Sequence, residues 1–358
     1  MMRLHGLDLS YYTGKVQAYL RARGIAHVLV EMDSRAFARC ARHTGVAQMP
    51  QLELPDGIWL TDSTRIIETL ERALPAAPVY PRDPALCFVA HLLEDFADEW
   101  LWRPAMAYRW VFAPDARQAS ERLARGLLRD VPLPLWARRA FIRWRQRHRF
   151  LRGDGVNPRT QAAVLAVYPD LLQVLEELLG NQPFILGARP TQADFGFFGS
   201  MFRHFASDPT PAAYMHSQAP AVARWVARVW NLQPGQWAGH AEPADLPARL
   251  QPLLERVCKA YLPYLQANAR AHARGARQVE WQLQGVPMST PVSPYRVWCL
   301  QELARRLHAL APADAGRVAV WLSTLGGPCG VQALQTLRAS LAVPGSAHPF
   351  PPLQDAHP

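Results

Sequence analysis

The 358-residue chain is 49% hydrophobic and 19% charged, which is enough apolar material for more than one buried core. Its formal charge is +10, with 39 basic residues of which all but Lys15 and Lys259 are arginine; that balance admits nucleic acid, anionic membrane surfaces and acidic ligands without choosing among them. There is no membrane-span-length apolar run, no apolar signal core in MMRLHGLDLS, and no CxxC or zinc-ligand spacing among five scattered cysteines, so a soluble cytoplasmic protein without metal or disulfide framework is expected.

RLHGL (3–7) reads as an apolar strand. SYYTGKVQAYLRARG (10–24) carries Val16, Tyr19 and Leu20 at helical spacing and stops at Gly24. HVLVEM (27–32) is a second strand and SRAFARCARHTG (34–45) a short helix ended by Gly45. QLEL and IWL flank Pro55-Asp56-Gly57, a hairpin turn. TDSTRIIETLERAL (61–74) opens on capping residues and keeps Ile66, Ile67 and Leu70 on one face. The order βαβα then ββα predicts a small α/β domain over 1–80 with a mixed four-stranded sheet.

PAAPVYPRDP (75–84), with four prolines, reads as a linker. Helices follow over 85–112, 115–129, 134–150, 158–180, 191–206 and 219–231, an all-helical domain over 85–240. From 246 to 342 the pattern is a mostly helical extension. It has a long helix (246–273), a hairpin about Gly285, and helices over 294–310, 313–325 and 330–341. The Pro-rich remainder, 343–358, is expected to be disordered.

Chemistry gathers around VAQMPQLEL (46–54). Leu52 and Leu54 alternate with Gln51 and Glu53 as in a strand, and Pro50 stands at its entrance, where a ladder N–H is not needed. A cis Met49–Pro50 bond would turn the Met49 N–H and C=O outward at the strand edge, able to pair with an extended peptide. Ser10 opens the first helix, and Asp62-Ser63 opens the third. Helix N-termini present free N–H groups and partial positive charge. Ser63 is thereby placed to hold a carboxylate and Ser10 a thiolate.

LSYYTGKVQAYLRARGI, QMPQLEL and the Asp62-Ser63 pair together resemble the glutathione transferase family. That resemblance implies a thioredoxin-like first domain that takes glutathione as an added strand, and a detoxifying transferase. It implies Met49 and Pro50 at the cysteinyl unit, Ser63 on the γ-glutamyl carboxylate, Asp62 on the α-amino group, and Ser10 on the sulfur. A serine there is usually followed by proline in the family. Here Tyr11 and Tyr12 follow, so three hydroxyls compete for the sulfur. Asp62 is one methylene shorter than the family's common glutamate. FILGARPTQADFGFF (184–198) resembles the family's capping box, with Thr191 and Asp194 in structural roles. Glutathione is then the co-substrate, a small electrophile the other partner, and a homodimer the implied assembly. A non-catalytic ligand- or partner-binding member of the family is the alternative.

Two further stretches carry weaker signals. HLLEDFADEWLWRP (91–104) puts Glu94, Asp95, Asp98 and Glu99 on neighbouring helix faces. Ion pairing with Arg103, Arg109 or the arginine-rich helix is the expected role, ahead of a metal site with His91. By the resemblance Trp102, Tyr108 and Trp110 are substrate-pocket candidates, with ordinary core the competing role. WARRAFIRWRQRHRFLRG (136–153) has seven arginines and no acid. Phe141, Trp144, His148 and Leu151 predict a buried stripe beneath a solvated basic face, which disfavours nucleic-acid or membrane binding. The extension is assigned no chemistry; it covers the pocket, forms an interface or is scaffold.

Overall fold

A computed structural model describes residues 1–74 and 76–340; the tail expected to be disordered, 343–358, lies outside them. The chain starts with β1 (Met2–Gly6), α1 (Tyr11–Ala22), β2 (His27–Glu31), α2 (Ser34–Thr44), β3 (Gln51–Glu53), β4 (Trp59–Thr61) and α3 (Ser63–Arg72). The sheet order is β2-β1-β3-β4. β1 and β2 run parallel, while β3 is antiparallel to both β1 and β4. Leu4, Leu52 and Leu60 lie in register across the sheet, and all three are buried. This is the thioredoxin-like mixed sheet, built from the period-2 alternation of its short strands. Gly45 ends α2 in the left-handed conformation, at φ 76°.

The helical part comprises α4 (Pro84–Trp100), α5 (Trp102–Val111), α6 (Ala113–Arg125), α7 (Leu135–Arg145), α8 (Gln161–Asn181), α9 (Gln192–Ser200), α10 (Pro209–Gln218) and α11 (Pro220–Trp230). The single helix expected over 85–112 is two, broken at Leu101, and α10 was not foreseen. Both α7 and α9 continue as π-helical turns, Gln146–Leu151 and Met201–Phe205. α9 is the pivot of the molecule: every one of its residues is buried, and it packs on α4 and on α1.

The extension holds α12 (Gln251–Arg256), α13 (Leu262–Ala273), the hairpin β5 (Gln278–Leu283) and β6 (Val286–Pro291), α14 (Pro294–His308), α15 (Pro312–Leu325) and α16 (Gly330–Ala339). Its hairpin turns on Gln284 and Gly285, both with positive φ, as a two-residue connection with matching twist requires. Trp281 of β5 packs on Tyr264 and Trp100, with ring centroids 4.7 and 5.6 Å away. α14 and α15 both lie against α4. Among the described residues no helix is long and apolar enough to cross a membrane.

Candidate functional site

The Met49–Pro50 bond is cis. The loop before it is held by Gln51, whose buried side chain donates to the carbonyls of Val46 and Gln48 at 3.1 and 3.2 Å. Asp62 stands at φ 71°, a region L residues rarely enter. Its Oδ1 accepts from the N–H groups of Thr64 and Arg65 at 3.0 and 3.3 Å, capping α3. Ser63, the first helical residue, donates neither its N–H nor its hydroxyl to a partner among the described residues. Met49, Pro50, Asp62 and Ser63 line one crevice of about 330 Å³ with Tyr12 and Gln48.

An apolar pocket of about 520 Å³ adjoins it, sharing Tyr12, Gln48 and Met49. Ser10, Tyr11, Trp102 and Trp110 are on its wall. Ser10 caps α1, its Oγ accepting from the Thr13 N–H at 3.4 Å. The two tyrosine hydroxyls point elsewhere. Tyr11 donates to the Ala97 carbonyl, and Tyr12 donates to the Asp98 carbonyl at 2.9 Å. Burial, with Asp98 beside Tyr11 and Glu99 beside Tyr12, pushes both phenols well above their usual range. The loop carrying Ser10 is pinned by Arg109, which donates to the Leu9 carbonyl at 3.1 Å and pairs with Asp208 at 2.7 Å.

Tyr108 is not on the pocket wall. It is buried against Tyr168 and Phe205 and donates to the Leu165 carbonyl at 3.3 Å, so it belongs to the core. Thr191 and Asp194 form the capping box of α9. Asp194 also accepts from the Ile185 N–H and the Trp225 indole at 2.9 and 3.0 Å, stapling the preceding loop and α11 to that helix start.

The acidic face of α4 has other partners than Arg103 and Arg109. Arg103 donates to the Asp154 carbonyl and lies over Trp281, while Arg109 serves Asp208. Lys15, fully buried, reaches Glu94 at 2.7 Å and Asp98 at 2.5 Å, and donates to Thr64 at 2.9 Å. Against the cost of burial, these two carboxylates hold the ammonium charge firmly. Tyr261 donates to Asp95 at 2.6 Å, and Arg296 pairs with Glu99 at 3.1 Å. Among the described residues no group of side chains is gathered to hold a metal ion.

The arginine-rich segment also departs from expectation. Phe141 and Trp144 are 49% and 54% exposed, and His148 is exposed beside them. Of the expected stripe only Leu151 is buried; Ile142 fills the inward position instead. The exposed rings stack on one another, Phe141 on Trp144 and Trp144 on His148.

The extension reaches the site, which its sequence did not reveal. Tyr295 of α14 lines the crevice and donates to Asp62 Oδ2 at 3.1 Å. Ser293 caps that helix, its Oγ accepting from the Arg296 N–H at 3.4 Å, and the Asn268 side chain, bonded to both the N–H and the carbonyl of Ser293, holds the cap in place. A tyrosine at the second position of a helix, with no resemblance to guide it, carries no signal of such a reach.

Residues 4–78 match the glutathione S-transferase N-terminal domain, and residues 150–233 match the C-terminal domain. The chain carries both domains of the glutathione S-transferase family. Solved structures similar to it include a glutathione S-transferase from Rhodospirillum rubrum F11, 19% identical, covering 69% of this chain and 95% of that one with a TM-score of 0.42. The beta-etherase LigF from Sphingobium sp. strain SYK-6 is 20% identical over 64% of this chain and 94% of its own, with a TM-score of 0.45. A glutathione S-transferase from Methylobacterium radiotolerans, in complex with glutathione sulfonate, is 22% identical over 64% and 90%, with a TM-score of 0.39. No curated protein matches.

Proposed function

We propose that this glutathione transferase is an enzyme that binds glutathione in the crevice beside Met49 and Pro50 and directs its thiolate at a small electrophile in the apolar pocket. The observation that carries this reading is that the polar crevice and the apolar pocket meet across Tyr12, Gln48 and Met49, each with a serine at a helix start. Ser63 and the start of α3 take the γ-glutamyl carboxylate, Asp62 the α-amino group, and the Met49 backbone the cysteinyl unit.

Ser10 is the thiolate's donor. Tyr11 and Tyr12 already give their single protons to backbone carbonyls, whereas the recorded bond of Ser10 uses its oxygen as acceptor and leaves its proton to give. A free thiol titrates near ~8.5, and a hydroxyl donor at a helix N-terminus lowers that value. The thiol proton leaves to solvent. The sulfur lone pair forms a bond to the electrophilic carbon, and the leaving group departs with its electron pair or the added electrons are protonated.

Retention on immobilised glutathione, lost in Ser63→Ala, tests the binding half. Turnover of a generic aryl halide, lowered by roughly 10² in Ser10→Ala, tests the catalytic half. Unchanged turnover in Ser10→Ala defeats the assignment. One observation favours a second reading, a binder without turnover: the extension, which is outside the common family pattern, brings Tyr295 into the crevice. Retention without any turnover selects it.

A further inference from the structure

The apolar pocket holds an uncompensated cation. Among the described residues no aspartate or glutamate lines it, and its arginines are Arg109 and Arg145. Arg109 is neutralised by Asp208 at 2.7 Å. Arg145, the last residue of α7, lies half-buried over the Phe150 ring, its Cζ 4.8 Å from the centroid. Among the described residues its guanidinium meets no carboxylate and donates no hydrogen bond. Burial and the nearby Arg149 both press against its charge. Gln146, next on the same wall, has a buried side-chain oxygen without a partner. Its amide can turn either end toward a ligand.

A planar guanidinium on an apolar wall, already stacked on an aromatic ring, is arranged for a carboxylate carried by an apolar body. The surroundings favour the same class. Residues 136–153 carry seven arginines and no acid, so the region about the pocket attracts anions, and low-dielectric walls concentrate that field.

We propose that the apolar pocket selects substrates with an apolar body and an anionic group, and that Arg145 is the residue that selects them. Arg145 pairs with the anion and the aromatic and aliphatic walls take the body. This rests on the pocket being the electrophile site, and it is decided by binding alone, without glutathione.

The test is calorimetric titration of the full chain at pH 7.5 with decanoate, decanol and decyltrimethylammonium. Decanoate binds at least ~10-fold tighter than decanol, the size of one charge-assisted pair, and the cationic probe binds weakest. Arg145→Met keeps the apolar stem and abolishes the preference; Arg145→Lys restores part of it. Arg149→Met, on the exposed side, leaves it in place. Equal binding of decanoate and decanol, no binding of either, or a preference that survives Arg145→Met overturns the proposal. Turnover of a neutral aryl halide, measured in parallel, reports separately on the thiolate reading.

Discussion

Replacing Lys15 by methionine keeps the stem and removes the ammonium at the junction of α1, α3 and α4. The side chain is fully buried and serves Glu94, Asp98 and Thr64 at 2.7, 2.5 and 2.9 Å. Burial, with Glu94 beside it, pushes Asp98 up to about 8 in spite of the ammonium, so at neutral pH Asp98 is free to stay protonated once Lys15 is gone. Glu94 is different. Against the cost of burial, Lys15 and then His91 hold it down at about 2. The variant therefore strands one buried carboxylate, and breaking such a pair costs about 3–5 kcal/mol. With His91 still 3.6 Å from Glu94, the lower end, roughly 3 kcal/mol, is expected. At ~2–4 °C per kcal/mol, or less in a longer chain, the melting temperature falls by roughly 5–10 °C. The depressed Glu94 supplies stability above its unfolded pKa near 4.5 that is lost as pH falls toward 2. The deficit of the variant is consequently full at pH 7.5, holds to about pH 4.5 and shrinks as pH falls below that. Melting followed by circular dichroism across that range reads it, and Lys15→Met/Glu94→Gln recovers part of the loss. A melting temperature within 2 °C of the parent at pH 7.5, or a deficit that grows on acidification, refutes the reasoning. Lys15→Arg also destabilises, because a guanidinium brings five donors to a hole with three acceptors.

Ser63→Ala lowers glutathione affinity by roughly 10- to 100-fold, the size of a hydrogen bond to a charged group, read by calorimetry; an unchanged affinity removes Ser63 from the site. Tyr295→Phe takes one donor from Asp62 and tightens glutathione binding by about 3- to 10-fold; weaker binding makes the hydroxyl part of the site instead of a competitor. Asp95, pushed up to about 7 by burial against the Tyr261 hydrogen bond, contributes stability that is fully present below pH ~4 and lost as pH rises through 7. Asp95→Asn flattens the decline in melting temperature between pH 5 and 8, and an unaltered slope rejects that assignment.

Much of the first domain was legible because its elements are short and locally determined. Gly45 and the Asp56-Gly57 turn punctuate it, and alternation places Leu52 and Leu60 inward. The cis-proline loop and the Asp62-Ser63 helix start were readable for the same reason, since each is a contiguous motif. Long-range partners were not. The acidic helix was identified, but sequence spacing finds neighbours on one helix and cannot say that Lys15 and Arg296, 83 and 197 residues away in sequence, would meet it. Periodicity misjudged α7 because a stripe of Phe141, Trp144 and His148 has the same spacing whether it faces the core or solvent; the inward position went to Ile142. For Tyr108 the sequence left core and pocket open, with core favoured, and helical rotation turns it onto Tyr168 in the core.

On the proposed placement of glutathione, its ammonium would meet an Asp62 oxygen that already accepts from the Tyr295 phenol. The two donors would share that oxygen, and the gain would be smaller than at a bare carboxylate. The phenol belongs to a helix seated on α4, and linkage is reciprocal: on that placement, whatever loosens α14 from its seat would strengthen the hold on the tripeptide, and the tripeptide would in turn loosen α14.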